Sequence, residues 1–214
     1  MKKRTGSHLG GQVSRVPRAG GRNGGFSLIE LLTVIAIITV IASLAAPAFN
    51  SMTSGTNMNR AGQLVGDQLM LARQEAITKN REVRVLFYYL PNTVTPGWRG
   101  IQIFRVEPTA GGTKVIPVTR LSQVPEGILI NADPALSPLL AADPTLAGTV
   151  NVPAYGDVQV VGFRFRATGL PDSTVNDTNN FVTLNNAKAA GNPPANYYTI
   201  QINPITGKVI IYRP

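Results

Sequence analysis

The sequence predicts an α+β fold, a long N-terminal helix packed on a mostly antiparallel β-sheet. Three observations predict it. Residues 26–48 form an apolar run with a single charge. Beyond it Ala61, Val65, Leu69, Ala72 and Ala76 recur at steps of four, four, three and four, the spacing of one helix face. After Asn80 the period drops to two, in Val83, Val85, Phe87 and Tyr89, and further strand-like runs separated by turn residues follow. A helical period that gives way to an alternating one points to a helix laid on a sheet.

Residues 1–25 are a basic leader. Of the 20 Lys and Arg in the 214 residues, Lys2, Lys3, Arg4, Arg15, Arg18 and Arg22 lie here, with no acid among them. The formal net charge of +9 is therefore +6 in the leader and +3 in the rest. Binding nucleic acid needs cations on the folded surface, so charge held in a leader weakens that function class. The chain has no cysteine, and its one histidine, His8, lies in the leader. Disulfides and thiol nucleophiles are excluded throughout, as are histidine triads and histidine metal sites in the body. No cofactor is implied.

Phe26–Ala48 is 23 residues with one charge, Glu30. A helix of about 20 residues spans the ~30 Å hydrocarbon core of a bilayer. Positive charge ahead of the run places residues 1–25 in the cytoplasm and the body outside it. A secretory signal peptide cut near Ala45–Ala48 and an uncut signal anchor share this layout. Neither accounts for the glycine pair directly before Phe26, nor for Glu30 in the first turns. A carboxylate at membrane depth costs ~2.5–3.5 kcal/mol on insertion scales and generally has a partner and a role. The plain alternative is that Glu30 snorkels to the headgroups.

Residues 49–80 continue the helical pattern, so one helix from Phe26 to about Lys79 is expected, broken or softened near Pro47. Gly55 and Gly62 weaken it locally, and Asn80 is a plausible stop. Residues 81–214 are β-rich. Val83–Tyr89 and Trp98–Val106 flank the turn sequence PNTVTPG, and Lys114–Leu121 and Ile128–Asn131 are weaker strands. Residues 132–157, rich in Pro, Ala and Gly, are expected to form a long insertion or loop. In Gln159, Val161, Phe163 and Phe165 one face is mainly apolar, with Arg164 and Arg166 on the other. Tyr197–Asn203 and Lys208–Tyr212 flank PITG and make a terminal hairpin. Trp98 and Tyr89 are expected as core aromatics beside the helix stripe.

The stretch GGFSLIELLTVIAII resembles the prepilin-type cleavage and methylation motif of type IV pilins and type II secretion pseudopilins. The resemblance implies cleavage after Gly25 by a dedicated membrane peptidase, N-methylation of the new terminus at Phe26, and Glu30 as the fifth residue of the mature chain. Pro47 falls at mature position 22, where pilin helices commonly bend. In a filament, Glu30 is implied to pair with the terminal amine at Phe26 of a neighbouring subunit, which would set the register between them. LARQEAITKNREVRV, GWRGIQIF and INPITGKVIIY more loosely resemble the H-type minor pseudopilins, which include the pilin-T-like proteins. Two departures stand out: residues 132–157 are longer than that fold requires, and the C-terminal disulfide of many true pilins is absent.

The implied protein is a non-catalytic subunit of a pseudopilus or pilus rooted in the bacterial inner membrane. It spans the bilayer once, with its C-terminal domain in the periplasm. Its implied partners are other pilins or pseudopilins, the prepilin peptidase and methyltransferase, and the inner-membrane assembly platform. The alternative is a minor pilin that binds extracellular DNA through a late cationic face, for which Arg164, Arg166, Lys208 and Arg213 are the candidates. An anchored periplasmic enzyme lacks any catalytic constellation. The segment PDSTVNDTNN collects Asp172, Asn176, Asp177 and Asn180. Asp172 and Asp177 are weak calcium candidates there, since the spacing does not fit an EF-hand and a solvated loop is the plainer expectation.

Overall fold

The computed structural model describes residues 25–172 and 180–213, with the side chains of residues 44–53 left out of the description. The chain divides into two compact units, Met1–Ala46 and Pro47–Pro214. One helix, α1 (Leu28–Lys79), belongs to both and is continuous in its assignment through Pro47.

The end of α1 is written in its last residues. Asn80 takes a left-handed backbone at φ 51°, which asparagine tolerates better than most residues. The Asn80 N–H donates to Ile77 O at 3.2 Å and the Arg81 N–H to Ala76 O at 3.1 Å. This pair of bonds is a Schellman cap, and it satisfies carbonyls that the helix end would leave open.

Eleven strands follow among the described residues, and they form two antiparallel sheets. Sheet A contains β1 (Val83–Leu90), β2 (Gly97–Thr109), β3 (Gly112–Pro117), β4 (Ser122–Gln123), β6 (Gly148–Val152), β7 (Gly156–Phe165) and β8 (Pro171–Asp172). Its main path runs β3-β2-β1-β7-β6, with β4 beside β2 and β8 beside β7. Sheet B contains β5 (Ile128–Ile130), β9 (Phe181–Asn186), β10 (Tyr198–Ile202) and β11 (Val209–Tyr212), in the order β11-β10-β9-β5. The fold is α+β, as the change of period predicts.

The helix stripe is the seam of the body's core. Met58, Ala61, Val65, Leu69, Ala72 and Ala76 are fully buried. They pack in one cluster with Val83, Val85 and Phe87 of β1, Phe163 and Phe165 of β7, and Ile200 and Ile202 of β10. Gly62 and Gly66 let sheet B close onto the helix. A Cβ at Gly62 would stand 2.4 Å from the Tyr198 ring, and one at Gly66 would stand 2.7 Å from Ile211 Cδ1. Arg105 ties β2 to the helix through an ion pair with Glu75.

The strands add to the expected pattern in two places. First, the other face of β1 is apolar as well: Tyr88 and Leu90 form a second cluster with Val158 and Val160, against which Leu86 packs, and a register shift in the β1–β2 pairing falls between Tyr88 and Tyr89. Trp98 instead packs on the main core, and Tyr89 meets it edge-on at 5.8 Å. Second, residues 132–157 are not merely a loop. They hold two 3-10 turns (Pro138–Ala141 and Pro144–Leu146), β6 and the start of β7. Leu139, Leu140 and Ala142 enter the main core, so part of the insertion is a wall of the domain. β6 turns into β7 through Val152–Tyr155, closed by Tyr155 N to Val152 O at 2.8 Å, with Gly156 at φ 74° completing the bend.

Candidate processing and assembly site

Gly25, Phe26 and Ser27 lead into α1. Ser27 is the N-cap: its Oγ accepts the Glu30 N–H at 3.2 Å, and its carbonyl accepts the Glu30 and Leu31 N–H groups at 3.1 Å. Ser27 and Glu30 stand three apart, in the Ser-x-x-Glu arrangement that starts helices. The capping signal is local, carried by Ser27 and Glu30 themselves, so it is legible in the sequence. The Glu30 side chain is solvent-exposed and has no hydrogen bond or ion pair among the described residues.

Among the described residues nothing requires glycine at position 25. A Cβ built there meets no atom within 4 Å, and its backbone lies outside the left-handed region. Phe26 beside it is 81 % exposed.

The helix behind it is apolar on every side. Ile29, Leu32, Ile35, Ile37, Ile38 and Ile41 are all exposed, and at about 100° per residue their positions lie all round the helix. A helix without a polar face calls for an apolar surrounding, either lipid or other helices. The polar side chains on this stretch are answered within the helix. Thr33 donates to Ile29 O, Thr39 to Ile35 O and Ser43 to Val40 O, each at 2.8 Å. Such back-bonds let hydroxyls enter an apolar phase without an orphaned donor. Glu30 is thus the exception on an otherwise self-satisfied apolar segment. Among the described residues no helix is long and apolar enough to cross a membrane, and side chains on this stretch are described as far as Ser43. The side chains of the rest of the 26–48 run, that of Pro47 included, lie outside the description.

The four late cations are not brought together. Arg164 donates to Asp143 Oδ2 at 2.6 Å and to Thr145 Oγ1 at 2.7 Å, and pairs with Glu82 at 3.5 Å. Burial works against its charge, but hydrogen bonding to Asp143 and the two nearby carboxylates outweigh burial and raise its pKa. Burial likewise works against the Asp143 carboxylate, and hydrogen bonds from Thr145 and Arg164 overcome it, holding the group below its ordinary range. Arg166 donates to Asp172 at 3.0 Å through Nε. Arg213 donates to Asn59 and stands 6.0 Å from the Tyr198 ring centroid. Lys208 is exposed at the other end of β11 and has no ion pair among the described residues.

Asp172, one of the calcium candidates, is thus engaged by Arg166. Asp177 lies outside the described residues. Among the described residues no three acidic or histidine side chains gather as a metal site would need. Residues 21–46 match the family model described as the prokaryotic N-terminal methylation motif. No curated protein and no solved structure matches the chain.

Proposed function

We propose that this chain is a structural subunit of a pseudopilus or type IV pilus-like filament, made as a precursor, cut after Gly25 and methylated at Phe26. The methylation-motif match supports a pilin-type structural subunit. The observation that carries the fuller proposal is the glycine itself. Gly25 has an open backbone and an empty Cβ position, so its smallness answers no demand of the fold. A processing enzyme that admits only the smallest side chain at the cut supplies that demand.

The apolar helix behind the cut holds the precursor in the inner membrane with the body in the periplasm, and later packs against other subunits. Both surroundings suit a helix with exposed apolar side chains all round. Glu30 is the docking charge. Its carboxylate starts without a partner, and the amine freed at Phe26 of a neighbouring subunit supplies one. Within the superfamily, the H-type minor pseudopilins fit the long helix, the early β1–β2 hairpin and the closing β10–β11 hairpin. Arg164 and Arg166 already face carboxylates, so the cationic face that DNA capture requires has no particular support.

Mass spectrometry of the membrane form tests the proposal. The expected mature terminus is N-methyl-Phe26. A terminus near Pro47 would make the leader an ordinary signal peptide, and an intact Met1 start would make it an uncut anchor. Either result overturns the processing scheme.

A further inference from the structure

Apart from the two-residue β4 and β8, the two sheets end in four strands, β3 and β6 on sheet A, and β11 and β5 on sheet B. A free strand edge carries unpaired N–H and C=O groups that invite another strand, and proteins blunt it with a charge, a proline or shortness. β3 has Lys114 and Pro117. β5 has only three residues. By contrast, β11 is VIIY and β6 is GTVNV, with no charge or proline in either. Both reach solvent: Tyr212 is 49 % exposed, and Thr149 and Asn151 are exposed. Two of the four edges are unguarded.

We infer that the β11 edge of one copy accepts the β6 edge of a second copy, so that sheet B of one continues into sheet A of the next. Charge keeps β11 from pairing with its own kind. Lys208 and Arg213 bracket β11, and neither has an ion pair among the described residues. Two β11 edges laid antiparallel over their full length would set Lys208 of each opposite Arg213 of the other, and like charges directly opposite are destabilising. β6 brings no cation. The charge beside it is Asp157 of β7, the cross-strand neighbour of Asn151, which accepts a hydrogen bond from Asn151 at 2.7 Å and has no ion pair among the described residues. Two β6 edges together would leave every β11 edge open, with their Asp157 carboxylates about 14 Å apart, three strand spacings. β6 against β11 sets no like charges opposite each other, holds Asp157 about 10 Å from the strand that Lys208 and Arg213 bracket, and covers both open edges. Because the two patches differ, each added copy leaves one β6 and one β11 free, and the contact propagates as a string. The inference rests on the strand edges and not on cleavage at Gly25.

Cysteine cross-linking tests it on the full-length chain, which has no native cysteine to interfere. Thr149→Cys and Tyr212→Cys chains produced together and oxidised should yield a disulfide-linked dimer. Each alone should yield none, and a chain carrying both should give a ladder. Val150→Cys in place of Thr149→Cys covers the opposite facing of β6. Asn151→Lys should abolish the cross-link while leaving the emission of Trp98 unchanged. A dimer from Tyr212→Cys alone would mean that β11 pairs with itself. No dimer with either β6 cysteine would mean that the edges do not meet. Either result overturns the inference. The cross-link should persist with Gly25→Val, where the precursor stays uncut, so failure of the processing scheme and failure of this contact can be told apart.

Discussion

Gly55 and Gly62 look alike in the sequence, two glycines seven residues apart in one helix, and the structure assigns them opposite consequences. Replacing either by alanine removes the backbone freedom that makes mid-helix glycine unfavourable, a gain of ~0.8–1 kcal/mol. At Gly55 the new Cβ meets nothing within 4 Å, so Gly55→Ala should keep that gain. At Gly62 it would stand 2.4, 2.5 and 2.9 Å from three atoms of the Tyr198 ring. The ring must move, and Arg213 stands 6.0 Å from its centroid, so that packing is disturbed as well. Overpacking of this kind costs ~1–3 kcal/mol. Gly62→Ala should therefore be neutral to destabilising by roughly 2 kcal/mol once the helix gain is subtracted.

The comparison between the two variants is sharper than either alone, because the helix-propensity gain cancels and about 1–3 kcal/mol of overpacking remains. Trp98 is the single tryptophan and packs on the main core, so its emission reports unfolding of the body without labels. Denaturant titrations of the full-length chain in detergent should place the Gly62→Ala midpoint below that of Gly55→Ala. In a Tyr198→Ala background the penalty at Gly62 should disappear, a coupling within the ~0.5–3 kcal/mol range of residues in contact. Equal midpoints for the two glycine variants, or a penalty that survives loss of Tyr198, would refute the account of how sheet B closes on α1.

Three further outcomes are expected. Asp143 has a lowered folded pKa, so its contribution to stability is present above the unfolded carboxylate value of ~3.9 and fades as pH falls through the folded value. Asp143→Asn should be less stable than the native chain by ~1.5–3 kcal/mol at neutral pH, with denaturation midpoints that converge as the pH is lowered toward ~2. Gly25→Val should leave the precursor uncut, seen as a heavier band on gels and an unprocessed mass. Glu30→Gln should be cut normally yet be missing from sheared filaments or from cross-links to neighbouring subunits. Breaking one side of a buried ion pair typically costs ~3–5 kcal/mol, so normal assembly of that variant would reduce Glu30 to a snorkelling group.

What the sequence made legible was whatever depends on near neighbours in the chain. The stripe Ala61, Val65, Leu69, Ala72 and Ala76 repeats with the helix, and all five residues are fully buried. Asn80 was recognisable as a stop because left-handed backbone is a property of the residue itself. The strands β1, β2, β7, β10 and β11 were legible from alternation, and the closing hairpin from its turn. β9 was passed over, and residues 132–157 looked like a loop, because Leu139 and Leu140 are apolar residues in a Pro- and Ala-rich setting with no period to mark them. Their burial comes from distant strands, through contacts with β7 and β9.

The same division governs the site. Residues 21–46 match the methylation motif as one linear segment, and on the proposed processing Gly25, Phe26 and Glu30 are legible because an enzyme that meets an extended chain writes its requirements in consecutive residues. Arg164 and Arg166 were legible only as alternating positions on one strand. Their partners, Asp143 and Glu82 for the first and Asp172 for the second, come from other parts of the chain. The four late cations, Arg164, Arg166, Lys208 and Arg213, are therefore candidates for a binding face in sequence, while two of them close ion pairs within the body. Gly62 carries the point furthest. In sequence it is a defect that weakens a helix, and in the fold it is the vacancy that admits Tyr198. A residue's local cost can be read from the chain, but what that cost makes room for depends on the strand packed against it.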